Sequence, residues 1–225
     1  MLAIIGAMQI EVDAILAKFD KYETKEIKHV KVYEGKLHNR DAVVALSGVG
    51  KVNAALTCAT LINNYDLDLV INIGTAGGLS EEENTLDIVI ANNTIQYDFD
   101  TTAIDGESGK GIINKCDDLL NKQAYNLLES DEYNVFFGDI ACGDRFVSET
   151  SQLDAIKENF KTAIACDMES GSIAQVCEIN EIRCIILRSL SDIVHKDNSH
   201  LDFMAYAKKA SERSGEFVSS FVKSL

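Results

Sequence analysis

Three acids and one arginine stand where short apolar runs end, in a chain that otherwise offers little reactive chemistry. Glu11 comes shortly after Leu2 to Ile5 and Gly6-Ala7-Met8, on the opening turn of a helix. Glu169 comes after the run Ala163 to Cys166 and Asp167-Met168, again where a helix starts, and Asp192 closes Ser189-Leu190-Ser191-Asp192. A carboxylate at a helix start is also favoured by the helix dipole alone, and an aspartate at a strand end can simply cap the next segment. Arg188 is more telling, because a guanidinium inside a buried strand requires a carboxylate or a ligand, and Glu169 is a candidate partner. Acids whose environments push their protonation apart are the usual equipment of general acid–base catalysis.

Glycines accompany these residues. Ser47-Gly48-Val49-Gly50-Lys51 lets the backbone approach something closely before a helix, but it is not a phosphate loop. Ala45 stands where the first glycine of such a loop belongs and Val52 where its magnesium-binding hydroxyl belongs, and no G-x-G-x-x-G fingerprint occurs. Asn72-Ile73-Gly74-Thr75-Ala76-Gly77-Gly78 reads as a glycine-rich turn whose amides and hydroxyl line a pocket or merely turn the chain.

The elements that must position these groups follow from hydrophobic patterning. Leu2 to Ile5, Ala42 to Leu46, Leu69 to Ile73, Ile88 to Ala91, Val135 to Phe137 and Cys184 to Leu187 read as buried strands. Val12, Ile15, Leu16 and Phe19 share one helical face, Val52, Ala55, Leu56 and Ala59 another, and Phe203 to Phe221 a long terminal helix. Alternating strands and helices predict an α/β fold with a mixed, mostly parallel sheet flanked by helices, in which ligands bind beyond the carboxyl ends of the strands. With no linker-like segment and no repeat, residues 1–225 read as a single domain.

Composition narrows the function classes. A formal net charge of -15 repels nucleic acid and anionic membranes, so neither is expected as a partner. The opening segment lacks a basic stretch and carries Gln9, Glu11 and Asp13, so it reads as neither signal peptide nor membrane span, and a cytoplasmic location is expected. The six cysteines (Cys58, Cys116, Cys142, Cys166, Cys177, Cys184) form no C-x-x-C pair and read as reduced, mostly buried thiols. Four histidines without ligand spacing imply no metal, and no cofactor is indicated.

Taken in order, IIGAM with Glu11, SGVGKVNAA, NIGTAGG, GDRFVS, DMES and RSLSD resemble the 5′-methylthioadenosine/S-adenosylhomocysteine nucleosidases of the nucleoside phosphorylase/nucleosidase superfamily, over nearly the whole chain. The resemblance implies a homodimer of three-layer α/β subunits that hydrolyses the N-glycosidic bond of methylthioadenosine, S-adenosylhomocysteine and 5′-deoxyadenosine. By it, Glu11 would activate water and Asp192, beside Ser191, would protonate the five-membered ring of adenine. Met8, Val49 and Phe146 would desolvate and raise one acid, while Arg188 would hold its neighbour ionised. Glu169 and the Met168 backbone would bind the ribose, with Arg188 orienting Glu169 and the water. Phe146 would stack on adenine and the Val147 backbone would meet its Watson–Crick edge, with Thr75, Ala76 and Gly77 also in contact with substrate. The alkylthio tail would lie on Met8, Val49 and Phe203, with Thr101 and Ile104 supplied by a partner subunit. Core packing is the competing account of the apolar members.

Departures from the commoner pattern are Gln9 and Ile10 in place of acids, Thr75 for serine, Asp167 for glutamate, an arginine within GDRFVS, and a short, polar 97–110 segment that reads as a solvated loop. A purine nucleoside phosphorylase of this fold would need phosphate-binding arginines, and Asn72 stands where one belongs. A futalosine-type nucleosidase is separated poorly by sequence. A phosphorylated tail would want more cations than His195, Lys196 and His200. A nucleoside-binding module without turnover is the third alternative.

Overall fold

The computed structural model describes residues 1–128, 134–194 and 199–225. Its framework is a ten-stranded sheet with parallel strands at its heart. β1 (Leu2–Gly6) lies between β4 (Arg40–Leu46) and β5 (Leu69–Gly78), and β5 continues to β10 (Arg183–Ile193), all parallel. A meander of β2 (Tyr22–Ile27) and β3 (Val30–Leu37) extends the β4 edge antiparallel. Its hairpin turns at Lys28, whose φ of 57° gives the reversal. β6 (Ile88–Asp100) runs antiparallel to β10 and parallel to β8 (Val135–Cys142), with β7 (Lys110–Lys115) on its far part. β9 (Ala163–Asp167) follows β8 and returns to Gly77 and Gly78 of β5, so the sheet curls shut over the ends of its central strands.

Strand alternation divides the core between two faces. Leu2, Ile4, Leu69, Ile71 and Ile73 face α1 (Gln9–Leu16), α4 (Asp118–Leu128) and α7 (Ser199–Ser224) through Val12, Ile15, Leu120, Phe217 and Phe221. Ala3, Ile5, Val43, Val70 and Ile186 face α2 (Lys51–Asn64) and α6 (Ser170–Ile179) through Ala54, Cys58, Leu61, Ile173 and Cys177. The result is a sheet flanked by helices on both faces, as the patterning implies, in the three-layer α/β arrangement the resemblance implies.

Several elements differ from the sequence reading. The helical face of α2 is reversed: Ala54, Thr57, Cys58 and Leu61 are buried, whereas Val52 is 76% and Leu56 47% exposed. Packing of α2 against α6 and the sheet takes the face that carries Ala54, Thr57, Cys58 and Leu61, and leaves Val52 and Leu56 outside. The segment expected as a turn at Gly74 to Gly78 is strand, because β10 pairs with it along its length. Residues 101–109 are not an open loop but hold α3 (Thr102–Asp105) and a 3-10 turn. The Thr101 amide donates to the Gly109 carbonyl at 2.9 Å and the Thr101 hydroxyl to Asp105 at 2.7 Å. α5 (Thr150–Asn159) packs near β8 and β9 through Leu153 and Ile156, which share a cluster with Ala141, Ala163 and Cys166.

Candidate active site

A cleft of about 280 Å³ opens at the carboxyl ends of β1, β5, β9 and β10. Met8, Glu11, Val49, Thr75, Ala76, Gly77, Phe146, Val147, Met168, Glu169, Ser191, Asp192 and Phe203 all line it, so residues spread over the whole chain converge there. Thr101 and Ile104 do not reach it; they stand at the start and within α3, with Ile104 85% exposed. His195 and Lys196 lie outside the described residues, as does the side chain of His200.

Glu11 is buried and its carboxylate turns back from α1. Its Oε2 accepts hydrogen bonds from the Ala7 amide (2.8 Å) and the Met8 amide (3.0 Å), the reach-back of a helix-capping acid. Its Oε1 accepts from the Thr75 amide at 3.1 Å, which ties β1 to β5. Capping and a place in the cleft are therefore one geometry here. A side chain at Gly74 would crowd it, since a Cβ there would stand 3.0 Å from Oε1 of Glu11. Burial pushes the Glu11 carboxyl up, opposed by the Met8 amide, Arg188 and the Thr75 and Ala7 amides. Desolvation outweighs the Arg188 charge because the side chain has lost nearly all contact with water.

Arg188 occupies a different place from the one expected. Its partner is Asp167 rather than Glu169, with Nε at 3.0 Å and Nη2 at 2.5 Å from Oδ2. Nη1 donates to the carbonyls of Asn72 (3.2 Å) and Leu187 (2.9 Å), and Nη2 also donates to Oδ1 of Asn72 at 2.5 Å. A guanidinium has five N–H donors, and these contacts engage all of them. Arg188 thus stands behind the cleft wall as a fixed positive charge, with no N–H left to orient Glu169 or a water. Asp167 also accepts from the Ser170 hydroxyl (2.8 Å) and amide (3.2 Å), anchoring the head of α6.

Glu169 occupies the N-cap position of α6, and its Oε1 accepts from the Gly50 amide at the head of α2 (2.9 Å). Burial and then the Asp167 charge push its carboxyl up to about 7, against the pull of Gly50 and Arg188. Gly50 has φ 99°, a conformation that favours glycine.

Across the cleft, the β10 register slips between Leu190 and Asp192. Such a bulge re-aims side chains, and it lets the neighbours Ser191 and Asp192 both line the cleft, which a regular strand would not. The Ser191 hydroxyl donates to Oδ1 of Asp192 at 2.8 Å. Phe146 meets Phe203 edge to face, ring centres 5.6 Å apart.

Ala7, Arg145, Cys166 and Asp167 also line the cleft and were missed as site residues. Asn72, a polar residue in an apolar strand, carried the same signal as Arg188; its amide donates to the Ile5 carbonyl at 2.9 Å, so the side chain is committed on both ends. Among the described residues no group of three His, Cys, Asp or Glu side chains is arranged to hold a metal ion, and no helix is long and apolar enough to cross a membrane.

Buried acids and a bulged strand beneath a curled mixed sheet define a class. The chain belongs to the phosphorylase superfamily, whose sequence profile matches residues 1–223. Within it, the 5′-methylthioadenosine/S-adenosylhomocysteine nucleosidase of Staphylococcus carnosus is 37% identical over 229 residues, covering 100% of both chains. The crystal structure of the enzyme of that name from Neisseria meningitidis, in complex with methylthio-immucillin-A, is 33% identical with a TM-score of 0.94, covering 100% of this chain and 99% of that one. A futalosine hydrolase structure from Helicobacter pylori is 30% identical with a TM-score of 0.93, covering 100% and 97%.

Proposed function

We propose that this protein is a purine nucleosidase, one domain that hydrolyses the N-glycosidic bond of 5′-methylthioadenosine and S-adenosylhomocysteine to adenine and the 5-substituted ribose. The observation that carries the reading is the pairing of Glu11 and Asp192 as buried acids lining one cleft, each oriented by its own hydrogen bonds. Glycosidic cleavage passes through an oxocarbenium-like sugar and needs one group to deliver water and another to relieve charge on the departing base. Glu11 suits the first role: three amides hold its oxygens as acceptors while burial raises its basicity. Asp192 is the acid for the base, and Phe146 and the Val147 backbone receive the adenine. Glu169 binds the ribose hydroxyls, since a carboxylate accepts two hydrogen bonds at once. Met8, Val49 and Phe203 take the thioether.

Water rather than phosphate is the nucleophile in this reading. The Asn72 side chain is locked to Arg188 and Ile5, Arg188 has no donor to spare, and the buried acids repel an anion. The futalosine alternative remains a matter of the ribose tail, toward which the cleft presents apolar side chains.

Incubation with methylthioadenosine, S-adenosylhomocysteine, 5′-deoxyadenosine, futalosine and inosine, with and without phosphate, tests the assignment. Adenine release without phosphate is expected, and Glu11→Gln or Asp192→Asn should each lower kcat by roughly 10²–10⁴. Full activity in either variant, or strict phosphate dependence, overturns it.

The homodimer belongs to the same proposal. Val49 is 49% exposed at the cleft rim, and Val52 and Leu56 continue from it along the outer face of α2. A second copy seated there would cover this apolar strip and bring its Thr101 and Ile104 to the tail end of the cleft.

A further inference from the structure

Away from the cleft, a second groove of about 280 Å³ is lined by Cys116, Cys177 and Cys184 together with Lys115, Asp117, Glu178, Glu181 and Arg183. Behind it lies Cys58 of α2, whose Sγ is 3.7 Å from Sγ of Cys177 in the last turn of α6. Cys177 is also in hydrogen-bond contact with Cys184, which enters on β10. Four of the six cysteines thus gather between α2, α6, the end of β7 and the start of β10, while Cys142 and Cys166 lie toward β9. All six are buried free thiols.

We propose that Cys58 and Cys177 form a redox-active pair, closed to a disulfide by a two-electron oxidant of the peroxide class that enters through this groove. Cys177 faces the groove and Cys58 does not, which sets the order of steps. The Cys177 sulfur attacks one peroxide oxygen, the O–O bond breaks, and water leaves with the thiol proton, giving a sulfenic acid. The Cys58 sulfur then attacks the Cys177 sulfur, the S–O bond breaks, and the hydroxyl departs as a second water with the Cys58 proton. Two thiols lose two electrons and two protons in all, and one peroxide becomes two waters. The sulfurs have to close from 3.7 Å to about 2 Å.

The contact with Cys177 and burial push the Cys58 thiol up, and the contact with Cys184 and burial push that of Cys177 up against the lowering effect of its contact with Cys58. A scarce thiolate should make oxidation slow at neutral pH and faster as pH rises.

The test uses the full chain treated with hydrogen peroxide at pH 7 and pH 9, blocked with an alkylating agent and mapped by mass spectrometry. The expected product is one peptide pair joining Cys58 to Cys177, two hydrogens lighter, formed faster at pH 9 and released by dithiothreitol. Its melting temperature should exceed that of the reduced protein, because the bond restrains the unfolded chain. Cys177→Ala should abolish the link, whereas Cys142→Ala should leave it intact. Free thiols at 58 and 177 after treatment, oxidation of Cys177 to sulfinic acid without a link, or a link between other cysteines overturns the proposal.

Discussion

At the scale of single residues, the site is governed by what burial does to carboxylates. An unfolded glutamate releases its proton near pH 4.5, whereas Glu169 in the fold keeps its own until about pH 7. Between those values the native state binds more protons than the unfolded one, so stability falls as pH rises through the window, by on the order of 3 kcal/mol when complete. Glu169→Gln keeps an oxygen for the Gly50 amide and removes the ionisation. It should therefore melt higher than the parent at pH 8, with the advantage fading toward pH 4.5, as calorimetry across pH would show. The same variant should bind nucleoside poorly, and the parent's KM should rise as pH drops below about 7, because a protonated Glu169 loses acceptor capacity for a diol. Equal melting temperatures at both pH values would contradict the ionisation argued here.

At the scale of elements, the cleft depends on helix heads held against strand ends. Gly50 joins α2 to Glu169 at the head of α6 through one amide, from a backbone conformation that favours glycine. Gly50→Ala should cost about 1–3 kcal/mol from backbone strain, with a Cβ 3.2 Å from Asp144 adding crowding. The expected readouts are a lower melting temperature together with a raised KM, since the Glu169 contact moves with the turn. Behind the wall, Asp167→Asn would leave Arg188 as a buried charge without its carboxylate, at a cost of about 3–5 kcal/mol. Denaturant titration showing less than 1 kcal/mol of loss would mean that Asn72 and the carbonyls suffice to hold the guanidinium.

At the scale of the whole molecule, a chain with a formal charge of -15 carries an exposed apolar strip along α2. Two copies meeting there repel one another at long range and attract only once Val52 and Leu56 are covered. Sedimentation should show a dimer that tightens with added salt, since screening removes the repulsion and leaves the apolar contact. Val52→Glu combined with Leu56→Glu should yield monomers with an intact fold. A dimer undisturbed by these changes would place the interface elsewhere.

Much of this was legible in the order of the residues. Short apolar runs and helical patterning located the central strands, and acids and glycines at the strand ends marked the cleft, because local chemistry records what each segment must bury or present. Arg188 announced itself as a charge in an apolar run, and Asn72 carried the same signal. The partner of that arginine was another matter: Asp167 and Glu169 are two residues apart, and only the turn from β9 into α6 decides which carboxylate faces the guanidinium. The outer face of α2 was misjudged for a related reason, since apolar residues lie on both sides of the helix and only the packing on α6 and the sheet decides which side is buried. Sequence alone therefore determined which groups are available and roughly where on the chain they lie. Tertiary structure decided their partners, their exposure to water and hence their proton affinities, because those depend on distances between segments that no local pattern encodes.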